Sequence, residues 1–270
     1  MGFAYKKVLL VGATSGIGLA LADKLVQEGV HVIAVGRRKE NLDAFVSKHG
    51  KDKASSHVFD ITKISEIPKF RDEVLAAHPD LDCLFLNSGI QRGMNFTRPE
   101  HINLDTFELE LSTNYTSFIH LTVAFLPFFQ KKQQPSSIIY TTSALAFVPI
   151  PHCANYCATK AALHHVILVL RQQMKDAGFN HLKIVELFPP AVQTELHDAD
   201  KQPFIDNGRE IGMPLADFVR DAWDGLEAGK EEIPVGGAND AWSTWEQTRQ
   251  ASYQQAHQMM IGMMKDFYKS

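Results

Sequence analysis

The chain has 270 residues, of which 45% are hydrophobic and 21% charged, with a formal net charge of −4. That is enough apolar material for one large folded domain, and it gives no electrostatic reason to bind nucleic acid. Three cysteines are too few for a disulfide framework and suit a reducing compartment, so a cytoplasmic location is expected.

The N-terminus runs within a few residues into a strand-like segment, which leaves no length for a signal peptide. The longest apolar stretch, residues 118–129, is broken by His120, Thr122 and Pro127 and is too short to span a bilayer. No membrane partner is expected. Short apolar runs at 8–11, 31–35, 56–59, 83–86, 137–141, 182–187 and 233–235 read as strands. Amphipathic stretches at 17–28, 39–49, 65–77, 104–130, 154–177 and 214–228 alternate with them as helices. This alternation predicts an α/β fold, a parallel sheet of about seven strands with helices on both faces.

No repeat or low-complexity linker divides the chain. Residues 1–238 are expected to form one domain that includes an irregular loop at 190–213. Residues 239–270 form a separate stretch rich in Gln and Met, with Trp242, Trp245, Met259, Met260, Met263 and Met264. It reads as a helical extension packed on the domain or on a second subunit. Closing a substrate pocket is a further role open to it, because Met adapts to irregular surfaces.

The first strand leads into Val11-Gly12-Ala13-Thr14-Ser15-Gly16-Ile17-Gly18, at the start of the first helix. Glycines there allow a sharp turn and the close approach of a pyrophosphate to the backbone. The helix start adds free N–H groups and the positive end of a dipole. Further along, Tyr156 and Lys160 stand four apart in a helical stretch and so share one face. A cation near a phenol favours the phenolate, and Ser143, at the end of a strand, has a hydroxyl to offer the same point. Cys153 and Cys157 have the same spacing, with His152, His164 and His165 close by, but no further Cys or nearby carboxylate completes a metal site, so no metal is expected.

The spacing Gly-x-x-x-Gly-x-Gly resembles that of the short-chain dehydrogenase/reductase family. The likeness continues in order through Asp60, Asn87-Ser88-Gly89, Asn114, Ser143, Tyr156, Lys160 and the run from Pro189 to Thr194. It covers about residues 6–235. What it implies is a Rossmann-type doubly wound sheet, a nicotinamide dinucleotide, and hydride transfer between a carbonyl and an alcohol. Tyr156 would be the general acid/base, Ser143 would hold the substrate oxygen, and Lys160 would hold the nicotinamide ribose and lower the tyrosine pKa. Asn114 would anchor a water that links Lys160 to solvent.

The cofactor would rest on Gly12, Thr14, Ser15, Gly16, Ile17 and Gly18, with Asp60 and Ile61 at the adenine. Asn87, Ser88 and Gly89 would pass beneath it, and Tyr156, Lys160, Pro189, Val192 and Thr194 would meet its nicotinamide half. At the end of the second strand, Gly36-Arg37-Arg38 offers guanidinium groups where an acidic residue would select NAD, so NADP is expected. Two departures stand out: Ser88 where relatives carry Ala, and Pro190 where they carry Gly. Expected substrate walls are Ile90, Gln91, Leu145, Pro149, His152, Phe188, Leu196 and Phe204, which suit an apolar or aromatic carbonyl compound. The helices at 104–130 and 154–177 resemble those that pair relatives into homodimers or homotetramers. An NADP sensor on the same fold, and a non-redox isomerase or dehydratase, stay open as alternatives.

Overall fold

The computed structural model describes residues 2–202 and 205–264. Seven parallel strands form one sheet: β1 (Lys7–Val11), β2 (His31–Gly36), β3 (Ala54–Val58), β4 (Cys83–Leu86), β5 (Ser136–Thr141), β6 (Leu182–Phe188) and β7 (Glu232–Pro234). Their order across the sheet is β3-β2-β1-β4-β5-β6-β7, the doubly wound arrangement that the family resemblance implied. Every residue of β4 and β5 is buried, because helices cover both faces.

Strand alternation sorts the core into two layers. Val8, Leu10, Val32, Ala34 and Phe85 face one side, packing with α1 (Gly16–Gln27), α2 (Lys39–His49) and α7 (Leu215–Glu227) through Leu21, Phe45 and Phe218. Leu9, Val11, Ile33, Val35 and Leu84 face the other, against Phe70 of α3 (Ile67–Ala77), Phe125 and Leu163. The winding reverses between β1 and β4. In such a sheet a ligand binds in the crevice beyond the carboxyl ends of those strands.

The single helix expected over 104–130 is instead three pieces. α4 (Leu104–Leu111) gives way to a π turn (Ser112–Thr116) before α5 (Ser117–Gln130). The wider turn frees backbone within a helix and marks functional positions, and here it carries Asn114 into full burial. α6 (Ala154–Asp176) follows β5. The irregular stretch after β6 is closed at its base by a lone parallel bridge between Val192 and Met213. The chain then runs from β7 through α8 (Ala238–Ala241) and a second π turn (Trp242–Glu246) into α9 (Gln247–Met264). Among the described residues, no helix is long and apolar enough to cross a membrane.

Candidate active site

One cleft of about 780 Å³ opens at the carboxyl ends of β1, β4 and β5. The glycine turn forms one wall. Gly12 takes φ +91°, and a Cβ there would sit 2.7 Å from the Ser88 amide; one on Gly18 would sit 1.9 Å from the Gly12 carbonyl. Only glycine allows the turn, the helix start and the β4 loop to pack this closely. Asn87 binds the corner together, accepting from the Thr141 hydroxyl at 2.9 Å and donating to the Gly12 carbonyl at 3.3 Å.

Ser15, at the N-cap of α1, makes no side-chain cap, and no acidic residue lies in the first turn. The first amides of the helix are therefore left for an anion. This bare helix start beside a side-chain-free turn fits a dinucleotide pyrophosphate. Arg38 and Glu195 flank it. Arg38 donates to the Thr14 hydroxyl at 3.1 and 2.9 Å and to Glu195 at 2.8 Å, while the Ser15 hydroxyl donates to the same Glu195 oxygen. Burial works to raise the Glu195 carboxyl, but Ser15 and Arg38 outweigh it and hold the group below its ordinary value. Arg37 is largely exposed at the lip, 3.9 Å from Asp60. Asp60 also caps its own turn, accepting from the Thr62 amide and hydroxyl at 3.0 and 2.8 Å.

The opposite wall carries Ser143, Tyr156 and Lys160, all buried and all lining the same cleft. Ser143 caps a short 3₁₀ turn by accepting from the Leu145 amide at 3.1 Å. The Lys160 ammonium donates to the Thr141 carbonyl at 2.9 Å and stands 5.6 Å from the centre of the Tyr156 ring. Burial pushes Lys160 down to about 8, with Glu186 and Glu110 opposing.

The Tyr156 phenol corrects an expectation. Burial pushes it well above its ordinary value, and only the Ser143 hydroxyl pulls the other way. The ammonium does not make it acidic, because the lysine is spent on a backbone carbonyl and desolvation penalises the phenolate more than the distant cation helps it.

Asn114 does not line the cleft. It accepts from the Ile90 amide at 2.9 Å and donates to the Ile90 carbonyl at 2.8 Å, fixing the loop after β4 behind Gly89. Gly18 also lies behind the surface, in the packing described above, whereas the remaining expected cofactor residues all line the cleft. Pro190 lines it too. The turn uses the Pro189 carbonyl, which accepts from the Ala144 amide at 2.9 Å, so the N–H missing from Pro190 costs no such bond.

Of the expected substrate walls, Ile90, Gln91, Leu145, His152 and Leu196 line the cleft. Phe188 does not: it is fully buried and packs at a tilt on Phe147 and edge-on to His164 behind the site. Pro149 gives its place to Ile150, and Phe204 lies outside the described residues. Cys153 also faces the cleft, its sulfur accepting from Gln91 at 2.9 Å and lying 3.8 Å from that of Cys157. Among the described residues, no group of three His, Cys, Asp or Glu could hold a metal ion. Sequence reasoning missed Glu195, which only the folding of the post-β6 loop over α1 brings to the glycine turn.

A family profile described as short chain dehydrogenase matches residues 6–203. The chain is 35% identical over 240 residues to an uncharacterized oxidoreductase, DltE, of Bacillus subtilis (strain 168), across 87% of this chain and 90% of that one. A solved short chain dehydrogenase/reductase from Burkholderia phymatum in complex with NAD has a TM-score of 0.75 at 18% identity, covering 86% of this chain and 89% of its own. A short chain dehydrogenase from Burkholderia cenocepacia J2315 in complex with NADP has a TM-score of 0.73 at 22% identity, covering 93% and 98%. At those identities the two structures speak for the fold.

Proposed function

The chain belongs to the short-chain dehydrogenase family, and from that premise we propose that it is an NADP-dependent oxidoreductase interconverting a carbonyl and an alcohol, with Tyr156 as general acid/base. The observation that carries the reading is the single cleft in which the glycine turn faces Ser143, Tyr156 and Lys160. A bound nicotinamide dinucleotide supplies the hydride for reduction or accepts it for oxidation. The glycine turn and the α1 N-terminus would hold its pyrophosphate, and Val192, Thr194 and Lys160 its nicotinamide half. Arg37, exposed at the lip and only loosely paired with Asp60 at 3.9 Å, would turn to a 2′-phosphate, supported by Arg38, and no acid ends β2 to repel one.

Ser143 and Tyr156 present two hydroxyls to one substrate oxygen, and negative charge growing on that oxygen draws on both. Tyr156 then passes its proton to the oxygen. Burial keeps this phenol protonated, so giving a proton is the easier half of its work. Lys160, shut in beside Thr141, holds a proton near the phenol from which it can be recharged. Ile90, Leu145, Ile150 and Leu196 give the substrate end of the cleft an apolar lining, which suits an apolar or aromatic carbonyl.

Following NADPH absorbance across a panel of ketones and aldehydes tests the reading. Tyr156→Phe is expected to lower turnover by about 10²–10⁴-fold while leaving NADPH binding intact, the scale of a lost general acid and oxyanion donor. Tight NADPH binding with no turnover of any carbonyl would sink the enzyme reading. An unchanged NADPH-over-NADH preference in Arg37→Ala would sink the cofactor reading.

A further inference from the structure

Behind the cleft, three ionisable side chains are shut away from water together. Glu186 on β6 is 0% exposed, and His164 on α6 and Glu246 at the end of the second π turn are 1% exposed. The imidazole lies between the carboxylates. Its Nδ1 is 2.9 Å from both oxygens of Glu186, and its Nε2 is 2.9 Å from Oε1 of Glu246. Arg249 closes the far side, donating to the two oxygens of Glu246 at 2.7 and 2.8 Å. Its guanidinium also lies 2.7 Å from His164 Nε2 and 3.1 Å from His165 Nε2. Gln250 donates to Glu246 at 2.9 Å, and the rings of Phe147 and Phe188 cover the imidazole edge-on.

Two carboxylates favour a proton on His164, while the Arg249 guanidinium, which can only donate, lies 2.7 Å from Nε2 and favours an imidazole unprotonated there. Burial opposes the proton, but Glu186 and Glu246 hold it, pushing His164 up to about 9. Burial likewise opposes the Glu246 charge, which His164 and Arg249 hold down to about 2. Taking such ions out of water costs several kcal/mol each, and apolar replacements often do the same structural work as well or better. A helix that merely needed fastening to the domain had a simpler solution available.

The cluster leads toward the reaction centre. Oxygen Oε1 of Glu186 also accepts from the Thr142 hydroxyl at 2.8 Å. Thr142 sits between Thr141, whose carbonyl holds the Lys160 ammonium, and Ser143. His164 is one helical turn beyond Lys160 on α6. The His164–Glu186 and Glu186–Thr142 links are hydrogen bonds between buried groups, and the chain itself carries Thr142 on to Thr141 and Ser143.

We propose that Glu246, from the segment that follows the sheet, is a positioning residue for the reaction centre, acting through His164 and Glu186 on the Thr141–Thr142–Ser143 stretch. The proposal rests on the reading of Ser143 and Lys160 as reacting groups. It gives the C-terminal segment a part in the chemistry. Without Glu246 the imidazole loses one of its two carboxylates, Glu186 is less firmly held on Thr142, and the Ser143 hydroxyl loses its fixed aim. Lys160, whose proton is supported partly by Glu186, feels the same change through that carboxylate.

Glu246→Gln keeps the shape and removes the charge. With its fold verified by circular dichroism, it is expected to bind NADPH within about twofold of wild type and to reduce carbonyls about tenfold more slowly, the loss of roughly 1.4 kcal/mol of barrier stabilisation. The alkaline limb of its rate profile is expected to shift as His164 loses its second carboxylate. Wild-type turnover with an unmoved profile would overturn the proposal, as would turnover and NADPH binding falling together, the mark of general damage. If Glu246→Gln does not fold, Glu246→Asp replaces it, judged by the same two readouts. Should the wild-type chain bind NADPH and turn over nothing, the enzyme reading fails. The cluster is then judged by NMR: in the variant the His164 ring is expected to titrate well below about 9 and the Thr142 and Ser143 amide signals to shift. Unmoved signals would overturn it.

Discussion

Two carboxylate clusters, one on β6 and one in the loop after it, pair similar chemistry in opposite surroundings. Glu195, just past the strand, meets Arg38 and Ser15 at the mouth of the cleft, with 30% of its side chain and 44% of the arginine's exposed. Glu186, within the strand, meets His164 and through it Glu246 with almost no exposure. Water makes the difference. At the mouth it competes with every contact, so an ion pair there is worth about 0–1 kcal/mol and can yield to a phosphate. Behind the cleft no competitor exists, so removing one partner strands the other. One cluster is suited to exchange, the other to permanence.

The sharpest way to break this contrast is to delete a partner on the buried side. His164→Ala leaves Glu186 and Glu246 without their shared cation, and a loss of about 3–5 kcal/mol in urea-induced unfolding is expected. A loss under about 1 kcal/mol, the scale of an exposed pair, would put the two clusters on the same footing.

Acidity offers a second test. His164 is raised in the folded chain, so its stabilisation is complete below the ordinary 6.5 and fades as pH climbs through about 9. Glu246 is lowered, so its share is complete above the ordinary 4.5 and fades as pH falls toward about 2. Hydrogen exchange in α9 is accordingly expected to be slowest between about pH 4.5 and 6.5, after correction for its intrinsic pH dependence, and to quicken on the alkaline side. Carbonyl reduction should also decline as pH rises through about 8, where Lys160 gives up its proton. A rate that is flat from about pH 7 to 10 would remove the lysine from the proton supply.

The smallest effect is expected at the mouth. Glu195→Gln removes an anion from beside the α1 N-terminus, so NADPH should bind more tightly, by up to about tenfold, with stability within about 1 kcal/mol of wild type. Calorimetric titration checks the first and urea unfolding the second. Weaker binding would mean that Glu195 organises the turn instead of competing for it.

Much of the cleft was legible from local pattern. The glycine turn announces itself through three glycines between a strand and a helix, and Tyr156 and Lys160 through a spacing of one helical turn. The acidity of Tyr156 was misjudged because a spacing of four says that two groups share a face, but not that one is buried and the other turned to the Thr141 carbonyl. Phe188 was misplaced for a related reason: an aromatic at a strand end reads the same whether it faces a substrate or backs onto a histidine. The π turn at Asn114 was hidden because the apolar pattern of 104–130 continues through it.

By itself the amino-acid order determined the strands, most of the helices and the glycine turn, since each depends on spacings within a strand, a turn or one helix. Tertiary structure alone decided which carboxylates meet which cations. Arg38 and Glu195 lie 157 residues apart, and His164 and Glu246 lie 82 apart. Such pairings carry no periodicity along the chain, and whether each stays fixed or gives way depends on burial, which exists only after folding.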